Sequence, residues 1–131
     1  MTTDYETTVG MLREAVARFA DAREWRPFHS PKNLAMSIAI EAAELMEHFQ
    51  WLTEDQAWAA ATEARAGVAE ELADVLIYCL TLSNALELDV TRAVLDKLQL
   101  NESHYPAAEF RGRFRRPERE KRNQAAKEEN G

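Results

Sequence analysis

Apolar positions along this chain recur at helical spacing, and nowhere with the alternation of a strand. Over residues 4–24, Val9, Leu12, Val16 and Phe19 share one face and predict a first helix. "REWRPFHSP" then breaks the pattern, since Pro27 and Pro31 both oppose continuation. A second helix is expected over 31–51, with Ser30 as its cap and Pro31 at the first helical position. Its stripe is Leu34, Ile38, Leu45 and Phe49, which lie within about 60° of one another at 100° per residue. "TEDQ" at 53–56 has the form of a capping box from Thr53 to Gln56, and "AWAAATEARAG" after it reads as a short separate helix. A third main helix is expected over 65–87, with Val68, Leu72, Val75, Cys79, Leu82 and Leu86 on its apolar face. A fourth runs from about 90 to 103, capped by Asp89 and stopped by Pro106. Four helices with short connections predict an all-α fold of the four-helix-bundle type.

Polar exceptions inside these faces carry the chemical signal. Glu41 projects from the apolar stripe of the second helix and Glu44 from its border. "EELADVLIYCL" is apolar nearly all round from Leu72 to Leu82, yet Asp74 sits inside it and Glu71 lies one turn earlier. Tyr78 follows Asp74 by four residues and borders the same face. An unpaired buried carboxylate costs several kcal/mol, roughly, even after relaxation, and four converging would also repel one another. Between Glu44 and Glu71 the chain offers Arg65 as its one cation. A divalent cation would remove both penalties. Carboxylate oxygens without cysteine or paired histidines suit magnesium or manganese better than zinc. The competing reading is that Glu44 and Glu71 lie on a solvated edge, as Glu47, Glu63 and Glu70 would.

Charge sharpens this picture. The net charge of −7 divides into −10 over residues 1–106, with 8 basic and 18 acidic side chains, and +3 over 107–131, with 8 basic and 5 acidic. An acidic body disfavours nucleic acid as a partner and favours divalent cations. The division places one domain at 1–106 and a charged, disordered tail at 107–131. No apolar run approaches the ~18–20 residues of a membrane span, and the start lacks a signal-peptide pattern. A single cysteine, Cys79, is expected in core packing and is consistent with the reducing cytoplasm.

"FHSPKNLAMSIAIEAAELMEHFQW", "EELADVLIY" and "KLQLNESHYP", in that order, resemble the MazG-like all-α nucleoside triphosphate pyrophosphohydrolases, and among them the dCTP pyrophosphatase branch. The resemblance covers roughly residues 8–106. It implies hydrolysis of a nucleoside triphosphate to the monophosphate and pyrophosphate with Mg²⁺, and puts Glu41, Glu44, Glu71 and Asp74 at the family's metal ligands. By motif position it makes His29 and Trp51 base contacts, Asn33 and Tyr78 substrate or structural residues, and Lys97, Asn101 and Tyr105 phosphate contacts. The chain departs from the pattern at Glu102, Ser103 and His104, where relatives are commonly basic; Lys32 or tail arginines could compensate. The resemblance also implies a homo-oligomer, a tetramer rather than a dimer. The preferred substrate it suggests is dCTP or a modified-cytosine deoxynucleotide (Mg²⁺ as the ion, Mn²⁺ as a substitute), with broader clearance of noncanonical triphosphates as the alternative and dUTP as a third option. Two rivals stand outside that reading. A di-iron carboxylate bundle wants Glu-x-x-His on two helices, which this chain lacks. A non-catalytic regulatory bundle would release no pyrophosphate.

Overall fold

The computed structural model describes residues 2–113, and among them every regular element is helical. The elements are α1 (Val9–Asp21), a 3₁₀ turn (Arg26–Phe28), α2 (Pro31–Glu47), α3 (Glu54–Glu63), α4 (Arg65–Ala85), α5 (Val90–His104) and α6 (Ala107–Phe110). The described residues fall into two compact units, 2–90 and 91–113. In the first, α4 is the hub, packing most extensively on α2 and also on α1 and α3. Among the described residues no helix is long and apolar enough to cross a membrane.

Local chemistry explains most boundaries. Ser30 Oγ accepts from Asn33 N at 3.2 Å and Pro31 opens α2. Thr53 and Gln56 complete the reciprocal capping box that starts α3. The first helix starts later than its periodicity predicts, at Val9, because Thr8 caps it by accepting from Met11 N. Its end, like that of α4, carries no glycine signal. Glu24 (φ 54°) and Glu87 (φ 53°) take the left-handed conformation there. Trp25 N then donates to Ala20 O, and Leu88 N to Ser83 O, closing each terminus in the manner glycine usually serves. The second helix ends at Glu47 rather than 51, with residues 48–51 continuing as turns.

Packing departs from the expected faces more than the boundaries do. The α2 stripe holds: Leu34 is 1% exposed, and Ile38, Leu45 and Phe49 are half-buried. On α1, however, Leu12 and Phe19 stay exposed, and the buried side is Arg13, Val16, Ala17 and Ala20. Small alanines let α1 approach α4, and Arg13 fastens it: Nε donates to Asn84 Oδ1 at 2.8 Å, while Asn84 Nδ2 donates to Arg13 O at 3.0 Å. Two long-range polar bonds thus select this face over the more apolar one. On α4 the buried side chains are Thr81 and Ser83, each satisfied by its own helix through Ile77 O and Leu80 O. Leu72 and Leu86 remain exposed, and so does Cys79, which corrects the expectation that this thiol packs in the core.

The second unit is small. Helix α5 buries none of its residues. Ala107–Phe110, at the start of the segment expected as a disordered tail, forms α6, whose Phe110 ring packs edge-on against Tyr105 at 5.2 Å. Residues 114–131, with most of the tail arginines, lie outside the described residues.

Candidate metal and substrate site

The face of α2 turned to α4 is apolar except at a few points, and those points build the site. Glu41 belongs to the half-buried stripe, and Glu44 stands one turn minus a residue further along, exposed. On α4 Glu71 is half-buried and Asp74 exposed. Glu41, Glu44 and Glu71 each bring a carboxylate oxygen within 4.8 Å of the others'. Asp74 falls outside that triplet, although its charge is felt at Glu41. Partial burial first, then the negative charges of Glu44, Asp74 and Glu71, hold the Glu41 carboxyl above its ordinary range. The ion pairs Arg18–Glu14, Arg26–Asp21 and Arg92–Asp96 lie elsewhere. Three convergent carboxylates, with no side-chain counter-ion among the described residues and offering hard oxygens alone, are a donor set that a divalent cation fits.

Beyond the carboxylates, toward the start of α2, lies a cleft of about 250 Å³. Its walls are Trp25, Phe28, His29, Asn33, Leu34, Ser37 and Tyr78. Ser37 stands one turn before Glu41 on α2, and Tyr78 one turn after Asp74 on α4, so the cleft abuts the carboxylates. Asn33 also braces it: Nδ2 donates to Phe28 O at 3.0 Å, tying the 3₁₀ turn to α2. A second cleft of about 310 Å³, sharing His29, lies between α1 and α4 over the Arg26–Asp21 pair. That pair holds the Asp21 carboxyl below its ordinary range through the Arg26 hydrogen bonds.

Of the predicted contacts, His29, Asn33 and Tyr78 thus meet in one cleft. Trp51 does not join them. It is 86% exposed in the turn after α2, whereas His29 precedes that helix. Seventeen residues of α-helix separate the two by about 25 Å at 1.5 Å per residue, so one chain cannot present both to a single base. Lys32 is exposed on the first turn of α2. Lys97, Asn101 and Tyr105 belong to the second unit, where Tyr105 N donates to Asn101 O at 2.8 Å. Trp25, Phe28 and Ser37 are lining residues that periodicity did not single out. The one-turn ladder Asn33–Ser37–Glu41 would have revealed Ser37, whereas the aromatic pair needed the 3₁₀ turn to bring it over the helix.

With fold and site in view, the chain is placed by comparison. It belongs to the MazG-like family, whose model matches residues 36–114. Among curated proteins it is 41% identical over 106 residues to dCTP pyrophosphatase 1 of Homo sapiens, covering 78% of this chain and 61% of the human one. To dCTP pyrophosphatase 1 of Rattus norvegicus it is 40% identical over 111 residues, covering 82% and 64% respectively. The chain therefore spans somewhat under two thirds of the length of these relatives. A crystal structure of a pyrophosphatase from Archaeoglobus fulgidus superposes with a TM-score of 0.74 at 39% identity, over 81% of this chain and 99% of that one.

Proposed function

We propose that this protein is a nucleoside triphosphate diphosphatase that converts a nucleoside triphosphate and water to the monophosphate and pyrophosphate, with dCTP or a modified-cytosine deoxynucleotide as substrate. The observation that carries the proposal is the convergence of Glu41, Glu44 and Glu71 from two packed helices within 4.8 Å. The names of the human, rat and archaeal relatives support the reaction class, and the first two support the base.

Glu41, Glu44 and Glu71 would hold Mg²⁺, or Mn²⁺ in its place, with Asp74 at the rim as a further ligand. Bound there, the ion neutralises phosphate charge and makes water a better nucleophile near neutral pH. The chain's own residues do the positioning. The cleft of Trp25, His29, Asn33 and Tyr78 takes base and sugar, which places the α-phosphate beside the carboxylates one turn away. Water attacks the α-phosphorus, its oxygen stays on the monophosphate, and the bond from that phosphorus to the bridging oxygen breaks to release pyrophosphate. The water's proton passes to a carboxylate of the cluster. Lys97, Asn101 and Tyr105 bind the phosphates, and Lys32 or the tail arginines add charge. Trp51 serves a base only from a second copy of the chain, which fits a tetrameric enzyme acting on the cytoplasmic nucleotide pool. The exposed apolar side chains of α4 and α5 give such an assembly surface to bury.

The decisive experiment measures pyrophosphate release from all canonical and modified triphosphates, with Mg²⁺ and with a chelator. Metal-dependent release peaking at cytosine deoxynucleotides is expected. A flat profile over noncanonical triphosphates would replace dCTP by broad clearance, and no release from any nucleotide would leave a regulatory bundle.

A further inference from the structure

The α2–α4 seam has an order that runs past the carboxylates. Ser37 and Tyr78 share the cleft at one end, Glu41, Glu44 and Glu71 meet in the middle, and His48 meets Gly67 at the other. His48 lies on the same half-buried stripe as Glu41, and one helical turn, about 6 Å, beyond Glu44. Gly67 lies one turn before Glu71. A Cβ at position 67 would stand 3.1 Å from His48 Cε1 and 3.6 Å from Nε2, so the missing side chain is the notch that admits the imidazole. Among the described residues the ring has no hydrogen-bond partner, and neither nitrogen is sealed from solvent, although the Cε1–Nε2 edge is the one that faces Gly67. Arg65, the first residue of α4, adds positive charge at this end.

We propose that His48 is a substrate-binding residue for the departing pyrophosphate, its ring N–H donating to a non-bridging oxygen of the β- or γ-phosphate. The proposal rests on the reading above, that a triphosphate lies along this seam. With base and sugar in the Ser37–Tyr78 cleft and the α-phosphate at the carboxylates, the remaining phosphates run toward His48. Neutral imidazole carries one N–H and imidazolium two, so the residue serves an anion in either state.

Calorimetric titration of inorganic pyrophosphate with Mg²⁺ into wild-type and His48→Leu protein reads this contact without turnover. His48→Leu, which still fills the notch, is expected to weaken pyrophosphate about tenfold and to leave nucleoside monophosphate affinity within about twofold. His48→Gln, keeping an N–H, should recover most of the loss, and Gly67→Ala, which displaces the ring, should show an intermediate one. Equal pyrophosphate affinity in wild type and His48→Leu overturns the proposal. So does an equal loss for both ligands, which marks a packing role, or no pyrophosphate binding by the wild type. The two readings fail separately: a chain that hydrolyses no triphosphate, yet binds pyrophosphate through His48, loses the proposed function and keeps the contact.

Discussion

Helices α2 and α5 carry similar amphipathic patterns and meet different fates. The α2 stripe is seated on α4, with Leu34 reduced to 1% exposure. In α5 Val94, Leu95, Leu98 and Leu100 stay between 46% and 60% exposed. The carboxylates ride on the first kind of helix, and packing within a single chain is enough to bring three of them together. Lys97, Asn101 and Tyr105 ride on the second, which has apolar side chains and no buried residue. The contrast teaches that an acidic cluster can be completed locally, while the phosphate-binding part of the proposed site sits on a helix that still has apolar surface to cover.

That contrast is open to test at several strengths. The largest effect is expected from Glu71→Ala, which removes the α4 contribution to the carboxylate triplet. Pyrophosphate release should fall at least ~100-fold while helicity by circular dichroism is retained. Activity within about threefold of wild type would remove the cluster from the chemistry. Next comes a pair of core deletions read by urea denaturation. Leu34→Ala should cost about 2–5 kcal/mol, as a fully buried leucine does. Leu98→Ala should cost under ~1 kcal/mol in dilute protein and approach the Leu34 value only at concentrations where copies assemble. Equal costs at every concentration would mean that α5 is buried within the chain after all. Lys97→Ala comes third: about a tenfold rise in KM with little change in kcat is expected if α5 binds phosphates before and during the reaction alike. A drop in kcat alone would move Lys97 into the chemical step.

The smallest effect concerns pH. The Glu41 carboxyl has its pKa raised above the ordinary 4.5 by burial and neighbouring carboxylates. Protonation is therefore favoured in the folded state, and the metal-free fold gains stability from this group as pH falls from neutral toward about 4.5, losing it as pH rises through the raised value. Melting curves of metal-free protein should show that trend, flattened in Glu41→Gln and by saturating Mg²⁺. A wild-type profile indistinguishable from that of Glu41→Gln would show the cluster already neutralised without metal.

Much of this molecule was legible before any coordinates. Ser30–Pro31, the Thr53–Gln56 box and Pro27 act through bonds only a few residues apart, so the helical class and the start of α2 followed from the chain alone. The inward position of Glu41 followed as well, since 100° per residue is a property of any α-helix. Other features depended on partners distant in the chain. Helix α1 turned its Arg13–Ala20 face to α4 because Asn84, 71 residues away, could fasten it. The ends of α1 and α4 were set by left-handed glutamates, which carry no compositional mark. Convergence of Glu71 on Glu41 and Glu44, the exclusion of Asp74 from their shared point, and the separation of His29 from Trp51 are distances between elements. Periodicity assigns each side chain a direction on its own helix, but only packing decides what stands opposite.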